Sequence, residues 1–286
     1  MVFIYIVFLP FRGTVLTAFF LQHSLKHQGV SMFNAVMNIF CLLVIVSAHE
    51  YGHYYFASKY GVFVQNFSVG LGWEIFGFTN KKGTRFSFRA IPFGGYVQFG
   101  NEDSEDPLKF LTKWQRIKIY FGGPLANLLL CILAALLLTT SGFLSEFPWY
   151  LQLLMVTIGT VAVFIFAVPA TVYAVFKIFT SPVKSMENVS GPIGIISGQS
   201  SEAAASSSLG DSLPLELLVI IWTLSLAVGS FNLIPLSILD GGQIFKEVFS
   251  KHTTLIKIWR WSSGALLMTL FVYVFGTDIF KFFTRD

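Results

Sequence analysis

The feature that most constrains this chain is an apolar run, 38–48, that passes without a break into His49-Glu50-Tyr51-Gly52-His53. The stretch from Phe33 to about Tyr60 is long enough to cross a bilayer. Lipid offers a lone segment no backbone partner, so such a stretch must be helical, and Gly61 closes it. Two histidines four apart lie on one helix face, about 40° apart around the axis, so both imidazoles reach one small cation. Bound zinc lowers the pKa of a water from about 15.7 to about 7, and Glu50, beside the first ligand, is placed to take a proton from that water. The pattern predicts metal-assisted hydrolysis, with His49 and His53 as ligands and Glu50 as general base. The plainer alternative is a helix end whose polar residues reach the interface. Ionisable groups at membrane depth are costly, however, unless they have a task.

Composition fits this setting. Of 286 residues, 54% are hydrophobic and 12% charged, against about 25% charged in soluble domains, which predicts an integral, multi-pass membrane protein. The net charge of +4 sits in loops, with no basic cluster of the kind that binds nucleic acid. Cys41 and Cys131 stand in apolar runs and are expected to be packing residues.

Residues 1–31 form an N-terminal apolar extension, broken by Pro10 and Arg12 and lacking the basic n-region of a cleaved signal peptide. It is an extra helix, an interfacial anchor or an addition ahead of a second start at Met32. In 62–100 phenylalanines alternate with polar or small residues around Asn80-Lys81-Lys82-Gly83, which predicts a membrane-associated β-hairpin or small sheet. That sheet either pairs with an extended peptide at its edge or caps the helices. The acidic residues Glu102, Asp103, Glu105 and Asp106 form a linker to a second span over 119–140. Within this span Gly122 and Gly123 permit close helix contact, and Asn127 either orients a ligand or substrate or bonds a neighbouring helix. Further spans are expected at 213–234 and 258–275. The fold predicted is thus a membrane α-helical bundle of about four core transmembrane helices.

An open catalytic zinc site needs a third protein ligand. Asp240, at the end of an apolar helix, is the natural choice; an Asp-Gly turn leaving the membrane is the alternative, and His252 and Asp278 are weaker candidates. Basic residues concentrate in 59–118 and 246–260, so both regions are expected on the cytoplasmic side, together with His53 and Asp240. This requires that 147–179 make no net crossing. That extra apolar segment is therefore expected to lie in the interface or to re-enter around Pro169, despite its length.

Five motifs occur in order: His49-Glu50-x-x-His53; Gly94-Gly95-Tyr96-Val97; Gly123-Pro124-Leu125-Ala126-Asn127; Ser190-Gly191-Pro192-Ile193-Gly194; and Asn232-x-x-Pro235 with Leu239-Asp240-Gly241-Gly242. The chain resembles the site-2 protease family of intramembrane zinc metalloproteases, most closely the bacterial regulator-of-sigma-E protease group, over roughly 32–283. The resemblance implies zinc (Zn2+) held by His49, His53 and Asp240, with Glu50 as general base. It also implies Asn232 near the catalytic centre, holding the substrate strand or stabilising the oxyanion. The implied substrates are transmembrane proteins or peptides such as anti-sigma factors and remnant signal peptides, cleaved in the bilayer of a bacterial inner membrane. Two departures stand out. Only 143–189 fills the place of the group's PDZ domains, so their size filter on substrates is expected to be missing or replaced by an adaptor. Ser237 replaces a usual proline, which removes stiffness from the loop before Asp240. The rival function class is a multi-pass ion transporter using His49, Glu50 and Asp240 as a relay.

Overall fold

The computed structural model describes residues 32–100, 106–139, 146–180 and 213–283. The N-terminal extension, Glu102, Asp103 and Glu105, and the glycine-proline motif at 190–194 lie outside these residues. The elements are α1 (Met32–Lys59), β1 (Val64–Thr79), β2 (Arg85–Phe99), α2 (Lys113–Leu138), α3 (Trp149–Thr180), α4 (Leu213–Asn232), α5 (Asp240–Val248) and α6 (Thr253–Phe283).

Among the described residues three helical segments are long and apolar enough to cross a membrane: Val36–Lys59, Lys113–Leu138 and Trp149–Ala170. The first two are expected core spans. The third belongs to α3, which runs through Pro169 as one helix of 32 residues; of the two forms expected for this segment, lying in the interface or re-entering at Pro169, the turn at the proline is thereby corrected. A proline removes one N–H donor from the ladder, yet in apolar surroundings the remaining backbone bonds have no competing partner and keep the helix closed. The apolar segment of α4, Leu217–Asn232, is shorter.

Two compact units divide the chain. One contains Leu128–Phe231 with the chain before Leu42 and after Leu266. Here Phe164 and Ala167 are buried, and the buried Cys131 donates from Sγ to the Trp222 carbonyl at 3.3 Å. Cys41 and Cys131 form no disulfide, in keeping with packing roles.

The other unit, Leu42–Asn127 with Asn232–Leu266, holds the sheet together with His49, Glu50, His53, Asn232 and Asp240. Alternating residues make β1 and β2 antiparallel partners, and each strand bends, so that 66–69 lies between 95–98 and 85–88 while 74–79 lies along the other side of 85–89. The turn between them is set by Asn80, whose Oδ1 accepts from the Lys82 and Thr84 amides at 2.9 and 3.0 Å, and by Gly83 at φ +85°. The Tyr54 ring of α1 packs edge-on against Phe67 and Phe86, with centroids 5.9 and 5.5 Å away. Below it Ala57, Val62, Val64, Leu108, Leu111 and Ile119 form a continuous buried cluster. These contacts fix the sheet, α1 and the start of α2 to one another.

Candidate metal centre

Helical spacing puts His49 and His53 one turn apart, with ring centroids 4.9 Å apart and planes at 78°. Their Nε2 atoms face each other at 3.3 Å. Asp240 completes the group: Oδ2 is 3.1 Å from His49 Nε2 and Oδ1 is 3.4 Å from His53 Nε2. The two histidines are buried, and one ligand atom from each of the three residues lies within 4.8 Å of the others.

These distances suit a metal. Ligands about 2.0–2.1 Å from a tetrahedral zinc stand about 3.3–3.4 Å from one another. Two facing imidazole nitrogens beside a carboxylate bring several lone pairs to one point, and among the described residues Asp240 Oδ2 is buried there without a hydrogen bond.

The far sides of the rings are held by α2. His53 Nδ1 donates to the Ile119 carbonyl at 2.8 Å, which fixes the tautomer and leaves the Nε2 lone pair free for a cation. Asn127 Nδ2 lies 3.1 Å from His49 Nδ1; turned over, the amide presents its oxygen to an Nδ1 proton and frees Nε2 in the same way. Between them sits Gly123. A Cβ here would collide with His53 Nε2 and come within 2.6 Å of His49 Nε2, so the missing side chain opens the space beside both ligand atoms. Gly52 and Gly122 let the two helices approach to backbone contact, since a Cβ on Gly122 would stand 2.7 Å from the Gly52 carbonyl carbon.

Asp240 is not the end of a membrane helix, as expected, but the first residue of the short helix α5. The chain turns sharply over 233–239, where the Leu239 amide donates to Leu236 O at 2.9 Å. A Cβ on Gly241 or Gly242 would strike the carbonyls of Leu233 or Leu236, so both residues must be small for α5 to start there. Ser237 corrects the expectation of a looser loop. Its amide donates to Ser263 Oγ at 3.2 Å, its carbonyl accepts from Gln243 Nε2 at 2.9 Å, and Trp259 Nε1 donates to Pro235 O at 2.8 Å. Hydrogen bonds restrain the turn where a proline ring would.

Glu50 is buried beside His49 and lies against Gly95 of β2. Asn232 closes α4, half-buried, and makes no side-chain hydrogen bond with the three ligands among the described residues. His252 is exposed and outside the group, and the Asp278 side chain lies outside the described residues. Sequence reasoning missed the Ile119 carbonyl and the contact of Gly95 with Glu50. The four-residue recurrence of Ile119, Gly123 and Asn127 along α2 was the available signal.

The sequence profile of Peptidase family M50 matches residues 37–275. A predicted zinc metalloprotease of Xylella fastidiosa is 43% identical over 98 residues, covering 32% of this chain and 22% of that protein. One of Brucella suis is 39% identical over 112 residues, 33% of this chain and 30% of its own length. One of Clostridium acetobutylicum is 39% identical over 117 residues, 40% of this chain and 33% of its own. The aligned regions thus span a third or less of the length of these curated relatives. With the profile covering most of the sequence, and three apolar helices of spanning length, one of which carries the histidine pair, the chain is a membrane protein that belongs to peptidase family M50.

Proposed function

We propose that the chain is a zinc-dependent intramembrane endopeptidase, with His49, His53 and Asp240 as ligands. The observation that carries this reading is the approach of two imidazole nitrogens and a carboxylate to 3.1–3.4 Å, with Glu50 buried in the adjoining position. Zinc, when bound, polarises a carbonyl and lowers the pKa of a water.

The protein's own groups divide the remaining tasks. Glu50 takes a proton from the attacking water as its oxygen joins the carbonyl carbon, then hands that proton to the nitrogen as the C–N bond breaks. Amides inside a helix already have partners, so a substrate unwinds before attack. Its extended segment pairs with the sheet near Gly95, and Asn232 holds that strand or the developing oxyanion. Trp73, Ile75 and Phe76, 60–74% exposed on β1, suit a sheet that sits in lipid. The exposed lysines Lys113, Lys118, Lys246 and Lys251 favour an arrangement with this end cytoplasmic in a bacterial inner membrane, the chain crossing several times. The catalytic core is then 32–283. The substrates are single-span membrane proteins such as anti-sigma factors or remnant signal peptides, presented by an adaptor in place of PDZ domains.

The test is metal content and turnover of the purified chain. Wild type should hold one zinc and cleave a membrane-spanning peptide, Asp240→Ala should lose the metal, and Glu50→Gln should keep it while losing cleavage. A wild-type chain that moves ions across vesicles and cleaves nothing overturns the proposal.

A further inference from the structure

Two of the three ligands have visible supports on α2: Asn127 for His49 and the Ile119 carbonyl for His53. Among the described residues Asp240 has none on its own side chain beyond the two imidazoles. Its support has to come through α5, a helix of nine residues that begins with it. Seven residues on, two helical turns away and on the same face, stands Glu247, a carboxylate only 6% exposed. Its Oε2 meets Arg116 Nε at 3.4 Å. One turn earlier on α2, Lys113 donates from Nζ to the Val248 carbonyl at 3.0 Å, at the C-terminal end of α5, where a cation also complements the helix dipole.

Arg116 therefore has a task that its place at the start of a span conceals. A guanidinium at a membrane boundary reads as a topology signal, but this one is turned inward onto a buried acid. Arg116, Ile119, Gly123 and Asn127 follow one another at three- and four-residue steps, one stripe of α2. Along this stripe lie a partner of α5, a partner of His53, the space beside both ligand nitrogens and a partner of His49.

We propose that the Arg116–Glu247 pair is a positioning element for the metal, seating α5 so that Asp240 meets the two histidines. A short helix turns as one body, so a shift at Glu247 is carried to the carboxylate at the other end. This rests on the reading of the three residues as a zinc site and adds to it which residues set the geometry of the third ligand. Removing an outer partner of a metal ligand typically costs about 10–100-fold in metal affinity, and that is the size of effect expected here.

The test is zinc affinity of the full chain in detergent, stripped of metal and titrated against a chromophoric chelator, for wild type, Glu247→Gln, Asp240→Asn and the double variant. Glu247→Gln should weaken zinc about tenfold or more in the wild-type background. In the Asp240→Asn background it should change affinity less than about twofold, because the ligand it positions is already compromised. Copper(II), which nitrogen sites hold more tightly, serves as the probe if zinc binding by Asp240→Asn is too weak to read. An equal loss in both backgrounds assigns the pair a purely structural role and overturns the proposal, as does an unchanged affinity. If Glu247→Gln does not fold, Arg116→Lys decides in the same assay, since an ammonium keeps the charge but not the geometry of the planar fork. A wild-type chain without zinc affinity overturns the metal-site reading and this inference together, whereas a zinc-binding chain indifferent to both substitutions overturns this inference alone.

Discussion

Gly95 of β2 lies against Glu50 of α1 so closely that a methyl group on it would stand 2.7 Å from Glu50 Cγ and 3.1 Å from Oε1. The same methyl would meet the Ser68 carbonyl at 2.6 Å, a backbone atom that cannot swing away. The carboxylate therefore has to yield. Gly95→Ala should keep its zinc and lose turnover by about 10²-fold, the lower range of what a well-placed general base contributes. Parallel metal analysis and peptide-cleavage rates check this.

Gly123→Ala should behave in the opposite way. Its Cβ would occupy the space against both ligand nitrogens, so binding of the ion itself is obstructed. Zinc content should fall well below one per chain at micromolar zinc while helical content by circular dichroism stays unchanged.

Asn127→Ala removes the group 3.1 Å from His49 Nδ1 and leaves that ring free to adopt either tautomer. Zinc affinity should drop about 10–100-fold. Asn127→Asp should recover most of it, because a carboxylate accepts the Nδ1 proton as the amide oxygen does. Chelator competition measures both.

Gly52→Ala addresses stability. The added Cβ would strike the Gly122 carbonyl, and overpacking of this kind costs about 1–3 kcal/mol. The midpoint of thermal unfolding in detergent should fall, with zinc present and with zinc removed alike.

Ser263→Ala deletes the acceptor of the Ser237 amide, a bond of 3.2 Å, and should cost about 1 kcal/mol. Ser237→Ala keeps that amide and loses only a 3.5 Å contact from its hydroxyl to Arg260 O, so its unfolding midpoint should stay close to wild type. Thermal scans of the two variants side by side test this difference.

The candidate site was legible where its chemistry is local. His49, Glu50 and His53 lie within one turn and a half of helix, and period alone puts the two imidazoles on one face. Asp240 could be reached from afar because an unsatisfied coordination shell called for a third ligand. Its local structure could not be. A nine-residue helix opening with two glycines after its aspartate carries little intrinsic helix preference; it forms because the backbone of 233–236 packs against it. The turn-back expected at Pro169 came from the count of crossings and not from any local signal, whereas the apolar setting keeps α3 continuous through that proline. The link from Arg116 to Glu247 joins residues far apart in sequence, and no pattern in either neighbourhood announces it.

The abutting glycines at 52 and 122 have a consequence for access. Main chain rests on main chain there, so no rotamer change can wedge α1 away from α2 without shearing that seam. On the proposed reading, a substrate that reaches Glu50 does so without parting this seam.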